Sequence, residues 1–267
     1  MKFPILFPFA LMGVLTLASC SQDSDEDVHR ALSETESLSR SVDAAVEDFA
    51  DEVVFRSDSD DVGLSSCVDV SDSGPGIYPR LISLDFGDGC TDYLGRTRTG
   101  LMHIALSAPW EEIGSTRTLT LENFTVTRPM QSTAIAVEGG RTLERLEPGA
   151  EGESRWMRSL NTTLTHPEFV MDRTFNGVRR WIQGEGDSTV ANVFGLTGSG
   201  TITRNEFVRN RTILEELILD KECGEIVSGT VEIERPALGE AVLDYGAGAC
   251  DGQATLTSDG ETYIIDL

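Results

Sequence analysis

Two stretches carry most of the residues that could do chemistry: "SLDFGDGC", closing on Cys90, and "VLDYGAGAC", closing on Cys250. Asp85, Asp88 and Asp92 are hard oxygen donors in a glycine-rich loop, the kind of set that calcium takes. The second copy has Ala247 near the place of Asp88, and neither copy has the full EF-hand spacing. The three aspartates therefore stand as a weak calcium candidate confined to the first copy. No C-x2-C pair occurs, which argues against zinc. His29, His103 and His166 show no serine or cysteine partner in sequence, and there is no G-x-S-x-G, no H-E-x-x-H and no phosphate-cradling loop before a helix. No catalytic residue and no cofactor is expected. Paired carboxylates for glycoside hydrolysis keep one enzymatic alternative open, because sequence spacing does not report separation in space.

The elements that must hold these residues read as strand, turn, strand. "GTVEIE" alternates Val231 and Ile233 with polar neighbours, the period of a half-buried strand. "TLTLENFTV" changes phase after Leu121, which predicts a bulge near Glu122 or Asn123. Asp259-Gly260 between two β-rich runs predicts a hairpin. Further runs fall near 80–86, 100–107, 133–137, 154–163, 178–183, 192–204, 211–219 and 241–245. Together they predict one antiparallel all-β domain over 62–267, either a sandwich or a large curved sheet built of hairpins. Before it, Val28, Leu32, Val42, Val46, Phe49 and Val53 mark a thin apolar stripe at helical spacing, which predicts a helical or partly disordered stalk over 28–61. That stalk could pack on the domain by its stripe, the favoured reading, or pair with a partner.

Five cysteines occur, and setting Cys20 aside leaves Cys67, Cys90, Cys223 and Cys250. Four cysteines allow three connectivities. Facing residues of a hairpin lie at equal distances from its turn, and the midpoint of 223 and 250 falls on Pro236-Ala237, within the turn-like "ERPALGE". The midpoint of 67 and 90 falls just past "SDSGPGIYP". These midpoints predict disulfides Cys67–Cys90 and Cys223–Cys250, each clamping the open end of its own hairpin. Trp110, Trp156 and Trp181 could offer sugar-stacking faces, but "SRWMRSL" and "VRRWIQG" read first as strands whose tryptophans pack inward or under Arg155, Arg158, Arg179 and Arg180.

The N-terminus supplies an address. An uncharged, mostly apolar run of 15 residues, Phe3 to Leu17, comes after Lys2 and is too short to span a bilayer comfortably. It reads as the core of a signal peptide over 1–19. Leu17-Ala18-Ser19-Cys20 resembles a bacterial lipobox, which implies cleavage after Ser19 and lipid on Cys20. Two or more acyl chains anchor a protein stably, each buried methylene contributing about 0.8 kcal/mol. Residues 20–27 then form an acidic tether, and "SQDSDEDV" resembles the acidic tag of surface-exposed Bacteroidetes lipoproteins. That resemblance implies the outer membrane and display at the cell surface.

Net charge is -24 over 267 residues, which excludes nucleic acid as a partner because clustered basic residues are lacking. "LDFGDG" resembles the strand of PKD adhesion modules, but its continuation here, "CTDYLGRTRTGLMHIALS", departs from that family's pattern. "FGDGCTDYLGRTRTG", "RTLTLENFTV", "CGEIVSGTVEI", "LDYGAGACDGQATLT" and "GETYIIDL" together resemble an uncharacterised group of Bacteroidetes outer-membrane lipoproteins. The resemblance implies lineage and location and carries no mechanism. The expectation is a lipid-anchored, non-catalytic structural or binding module meeting an extracellular glycan or protein, with a cell-surface glycan-active hydrolase as the alternative.

Overall fold

The computed structural model describes residues 22–56, 67–74, 76–92, 94–129, 131–186, 189–236 and 239–267. The signal peptide, Cys20 and the residues linking helix to sheet lie outside the described residues. A helix comes first, α1 (Gln22–Asp43), continuing through a π-helical turn (Ala44–Asp48) into α2 (Phe49–Arg56). Fourteen strands come after it: β1 (Asp69–Asp72), β2 (Arg80–Asp85), β3 (Cys90–Thr91), β4 (Thr97–Leu106), β5 (Thr116–Thr127), β6 (Ala134–Arg145), β7 (Arg155–His166), β8 (Phe169–Gln183), β9 (Val193–Arg204), β10 (Phe207–Asp220), β11 (Glu225–Arg235), β12 (Gly239–Ala247), β13 (Gln253–Ser258) and β14 (Glu261–Asp266). They form one antiparallel sheet in which each strand neighbours the next in sequence, except that β3 adds a short pairing onto β4 beside β2. The all-β expectation is met by a single meandering sheet.

The sheet must curl, and the helix shows around what. Side chains or carbonyls of the helix bond to β4 through Arg98, to β8 through Arg173, to β10 through Arg211 and to β14 through the Asp266 carbonyl. Strands sit about 4.8 Å apart, so a flat sheet between β4 and β14 would be roughly 50 Å wide, whereas Ala45 and Ser33, which meet those two strands, lie about 18 Å apart along the helix. One helix reaches both ends only because the sheet wraps it. Leu38, Val42, Val46, Ala50 and Val53 pack with Ile82, Met102, Ile104, Leu119 and Val137, while Leu32 packs with Val231, Ile233, Leu243 and Leu256.

The apolar stripe expected to let the stalk pack on the domain does so, and it lies deeper than a stalk would, as a core element. The helix begins at Gln22, inside the segment that reads as tether, and its stripe from Leu32 to Val53 lies on the concave face of the sheet. The physical reason is that its acidic residues are not all solvated: several meet arginines that the strands turn inward.

Curling a sheet that closely requires places where strands approach without side chains. Gly177 faces Gly198 across β8 and β9. A Cβ on Gly198, where φ is +135°, would sit 2.3 Å from the Asn176 carbonyl oxygen, and one on Gly177 would sit 1.9 Å from the Thr197 carbonyl oxygen. At the predicted bulge, Asn123 has φ +49° and the β5–β6 register shifts between Thr120 and Phe124. Asp259 and Gly260 have φ +53° and +82°, as the β13–β14 hairpin needs. Strand runs at 138–145, 169–177 and 207–210 are longer than the sequence pattern suggests. Glycine and inward arginine interrupt their apolar alternation.

Candidate functional site

The doubled phrase does the same local work twice. Asp85 accepts a hydrogen bond from the Gly87 amide at 2.8 Å, and Asp244 accepts one from the Gly246 amide at 2.8 Å. Each bond closes a tight turn over a glycine at positive φ, +53° and +83°. The aromatic residue between is driven inward, so Phe86 and Tyr245 are both buried. Phe86 meets the ring of Phe49 at 5.5 Å, at the far end of the helix, and the Tyr245 hydroxyl lies 3.4 Å from Glu36 in its first half. The two copies are two clamps on one helix.

Each clamp ends in a disulfide, Cys67–Cys90 and Cys223–Cys250, with Cα atoms 5.4 and 5.6 Å apart. The β11–β12 turn falls between Arg235 and Gly239, where the cysteine midpoint predicts it. Cys223 lies in the turn before β11 and Cys250 in the connection to β13. The first pair differs in detail: Cys90 belongs to β3 and faces Arg98 of β4, because the chain bends at Gly87 after leaving the β1–β2 ladder.

Of the three aspartates with calcium-like spacing, Asp85 serves its turn and Asp88 is exposed. Asp92 accepts hydrogen bonds from the Leu94 and Arg96 amides, from Arg96 Nε and from Arg98 Nη1. Burial opposes its charge, yet these bonds and the two guanidiniums hold its carboxyl below the ordinary range. Asp92 thus positions Arg98, whose Nε donates to the Ala45 carbonyl at 2.8 Å. That carbonyl belongs to the π-helical turn. Among the described residues, no group of three His, Cys, Asp or Glu is placed to hold a metal.

The π turn also carries Glu47, and Asp51 lies one turn further. Arg141 and Arg158 both bind Glu47, while Arg117, Arg141 and Arg179 surround Asp51, with Arg179 Nη1 2.8 Å from Oδ2. Burial alone would raise both carboxyls. The arginines more than offset it, lowering Glu47 to about 2 and holding Asp51 well below the usual carboxylate range. Such groups stay ionised at neutral pH, so neither can serve as a general acid. Glu36 and Asp43 continue the row, binding Arg211 at 3.0 Å and Arg173 at 2.8 Å. Arg158 and Arg179, which flank the tryptophans in sequence, meet carboxylates of the helix. Arg180 does bridge strands, reaching Glu216 at 2.5 Å over Gly195.

Between this helix and β7–β11 lies a hollow of about 110 Å³. Phe194, Leu196, Leu217, Leu219 and Ile226 form its wall, and Arg40, Lys221 and Gly224 lie at its edge. An adjoining lobe of similar size runs beside Phe175, Ile213 and Tyr245. The Cys223–Cys250 disulfide ties down the turn that bears Lys221 and Gly224, so one clamp also shapes the mouth.

The tryptophans gather beside the hollow. Trp110 stacks on Trp156 at 5.3 Å, and Trp156 and Trp181 are buried with Phe194. Arg117 covers Trp110 and Arg145 covers Trp156. Faces covered in this way are core, and they are closed to a pyranose.

On the outer face, Ser83 Oγ lies 2.9 Å from His103 Nδ1, and His103 Nε2 lies 3.8 Å from Glu122. Sequence spacing hides this row because the three residues come from three strands. It lies on an open sheet surface, away from the two lobes of the hollow. No family model, curated protein or solved structure matches the chain.

Proposed function

We propose that the protein is an outer-membrane lipoprotein, anchored by lipid on Cys20, displayed at the cell surface and acting as a non-catalytic binding module whose site is the hollow between helix and sheet. The observation that carries the binding role is the hollow itself: an apolar wall, a cationic edge and ionised carboxylates already committed to arginines. The anchoring part rests on the lipobox-like Leu17-Ala18-Ser19-Cys20, and the resemblance to Bacteroidetes lipoproteins supports the surface location. No described helix is long and apolar enough to cross a membrane.

The test has two arms. Cells fed labelled palmitate should label the protein, Cys20→Ala should abolish the label, and protease added to intact cells should digest it. The exported chain should bind an apolar fluorescent probe saturably and release nothing from chromogenic glycosides. Glycoside turnover lost on replacing a single carboxylate would overturn the binding role in favour of a glycan-active hydrolase.

A further inference from the structure

The buried apolar side chains of the described residues fall into three separate groups, and the lining of the hollow draws on all of them. Ile202 belongs to the group around Val42 and Met102, Leu217 and Val231 to the group around Leu32 and Leu243, and Phe194 to the group around the tryptophans. The hollow is where the three fail to meet.

The helix explains the gap. Its apolar stripe, with Leu38, Val42 and Val46, packs in the first group, so the side that borders the hollow presents Ser39, Arg40, Asp43, Ala44 and Glu47. β10 adds to it: the strand slips register against β9 between Thr212 and Leu217 and against β11 between Ile213 and Ile218, a bulge that bends the segment leading to Leu217 and Leu219. An apolar wall is thus left facing polar side chains.

Those side chains hold no uncompensated charge for a ligand. Arg40 meets Glu225 at 3.9 Å, Arg173 meets Asp43 at 2.8 Å, Arg179 meets Asp51 at 2.8 Å and Arg211 meets Glu36 at 3.0 Å, while Arg158 meets Glu47. Each arginine of the lining already has its carboxylate. A charged head drawn inside would lose its hydration and find only ions that neutralise one another. The two lobes hold about 110 and 120 Å³ and share Leu196, Leu217 and Ile226 as a common wall. An apolar cavity of about 150 Å³ is enough for benzene. Two smaller spaces that share a wall fit a bent chain better than one ring.

Resting on the reading of the hollow as the binding site, we propose that its occupant is the alkyl chain of a single-chain amphiphile, running from Phe194 past Leu196 and Leu217 towards Ile202 and Val231, with its head left in solvent at the mouth. The chain supplies the apolar contact that the helix does not, and it joins the three groups into one core. Affinity then comes from methylenes, so it grows with chain length until the lobes are full and ignores the charge of the head.

The probe is 1-aminoanthracene, bound to the full chain exported behind a cleavable signal with Cys20→Ser. Its displacement is measured for hexanol, octanol and decanol, and for the alkanoates and alkyltrimethylammonium ions of the same lengths. Each added methylene should tighten binding about fourfold until the lobes are full. At one length the three heads should compete equally, and Arg40→Gln combined with Lys221→Gln should leave that equality intact. Leu196→Trp should exclude every chain, with Ile226→Trp as a second obstruction should the first variant fold poorly. An alkanoate or an ammonium ion about tenfold tighter than its alcohol overturns recognition by the chain alone while leaving the hollow a binding site. Affinity that stays flat with length overturns the chain in the same way. Absence of saturable binding by probe and chains alike overturns the hollow as a site altogether.

Discussion

Asp51 and Arg179 meet at 2.8 Å across the interior, joining the end of the helix to the middle of the sheet. Arg117 and Arg141 converge on the same carboxylate, so β5, β6 and β8 are gathered on one helical residue. Asp51→Asn keeps the volume and removes the charge, leaving guanidiniums buried without their anion. Breaking a buried pair from one side costs about 3–5 kcal/mol. Urea unfolding should show a loss of that size, and a change below about 1 kcal/mol would show that the pairing contributes little.

Acid should unfold the protein by the same route. The Glu47 carboxyl, ordinarily at 4.5, is lowered to about 2 in the fold, so the unfolded chain takes up protons first as pH falls. The stabilisation is whole above about pH 5 and drains away towards about pH 2, and Asp51, also lowered, steepens the loss. Urea midpoints measured across that window should fall steeply. Glu47→Gln should start lower and show a flatter slope, whereas an unchanged slope would remove Glu47 from the account.

The second disulfide should matter at the mouth of the hollow as well as for stability. It spans 27 residues of sequence, and loops of that size contribute roughly 3–4 kcal/mol on the chain-entropy model. Cys223→Ser with Cys250→Ser should lower stability by about that amount. Hydrogen exchange should speed up at Lys221–Gly224 more than in the β4–β5 ladder. Peptide mapping without reductant should recover Cys67 joined to Cys90, and a Cys67–Cys250 peptide would contradict the fold at both clamps.

Gly198 tests the curvature. An added methyl would meet the Asn176 carbonyl oxygen at 2.3 Å in a conformation that side chains rarely adopt. Gly198→Ala should cost about 1–3 kcal/mol, more than Gly246→Ala, where φ is also positive but the space is open. Equal losses at the two sites, read from paired unfolding curves, would mean that close strand approach is not what the glycine supplies.

The strands and turns were legible because alternation and turn chemistry are local. Val231 and Ile233, the bulge at Asn123 and the Asp259-Gly260 hairpin each announce themselves within a few residues. The disulfide pairing was legible because a hairpin converts sequence distance into register. That the helix packs by its stripe was legible too; its depth inside the curl was not, because its acidic residues look solvated until their partners are known. A trace of those partners exists: Arg117 and Arg141 fall in phase with Leu119 and Leu143, the inward positions of their strands. Arginine at an apolar phase, matched with acids at 36, 43, 47 and 51 on a helix, is the signal that charge counting overlooks. The hollow depends on elements far apart in sequence, and the Ser83–His103–Glu122 row on the register of three neighbouring strands, so no local pattern reports either.

The hollow as a binding site is tested most directly by photolabelling the chain with a diazirine-bearing fatty acid and mapping the modified residues. Label should concentrate between Val193 and Ile226, fall away when unlabelled acid competes, and disappear with Leu196→Trp. Label scattered over the outer face, or insensitive to both competitor and variant, would contradict the account.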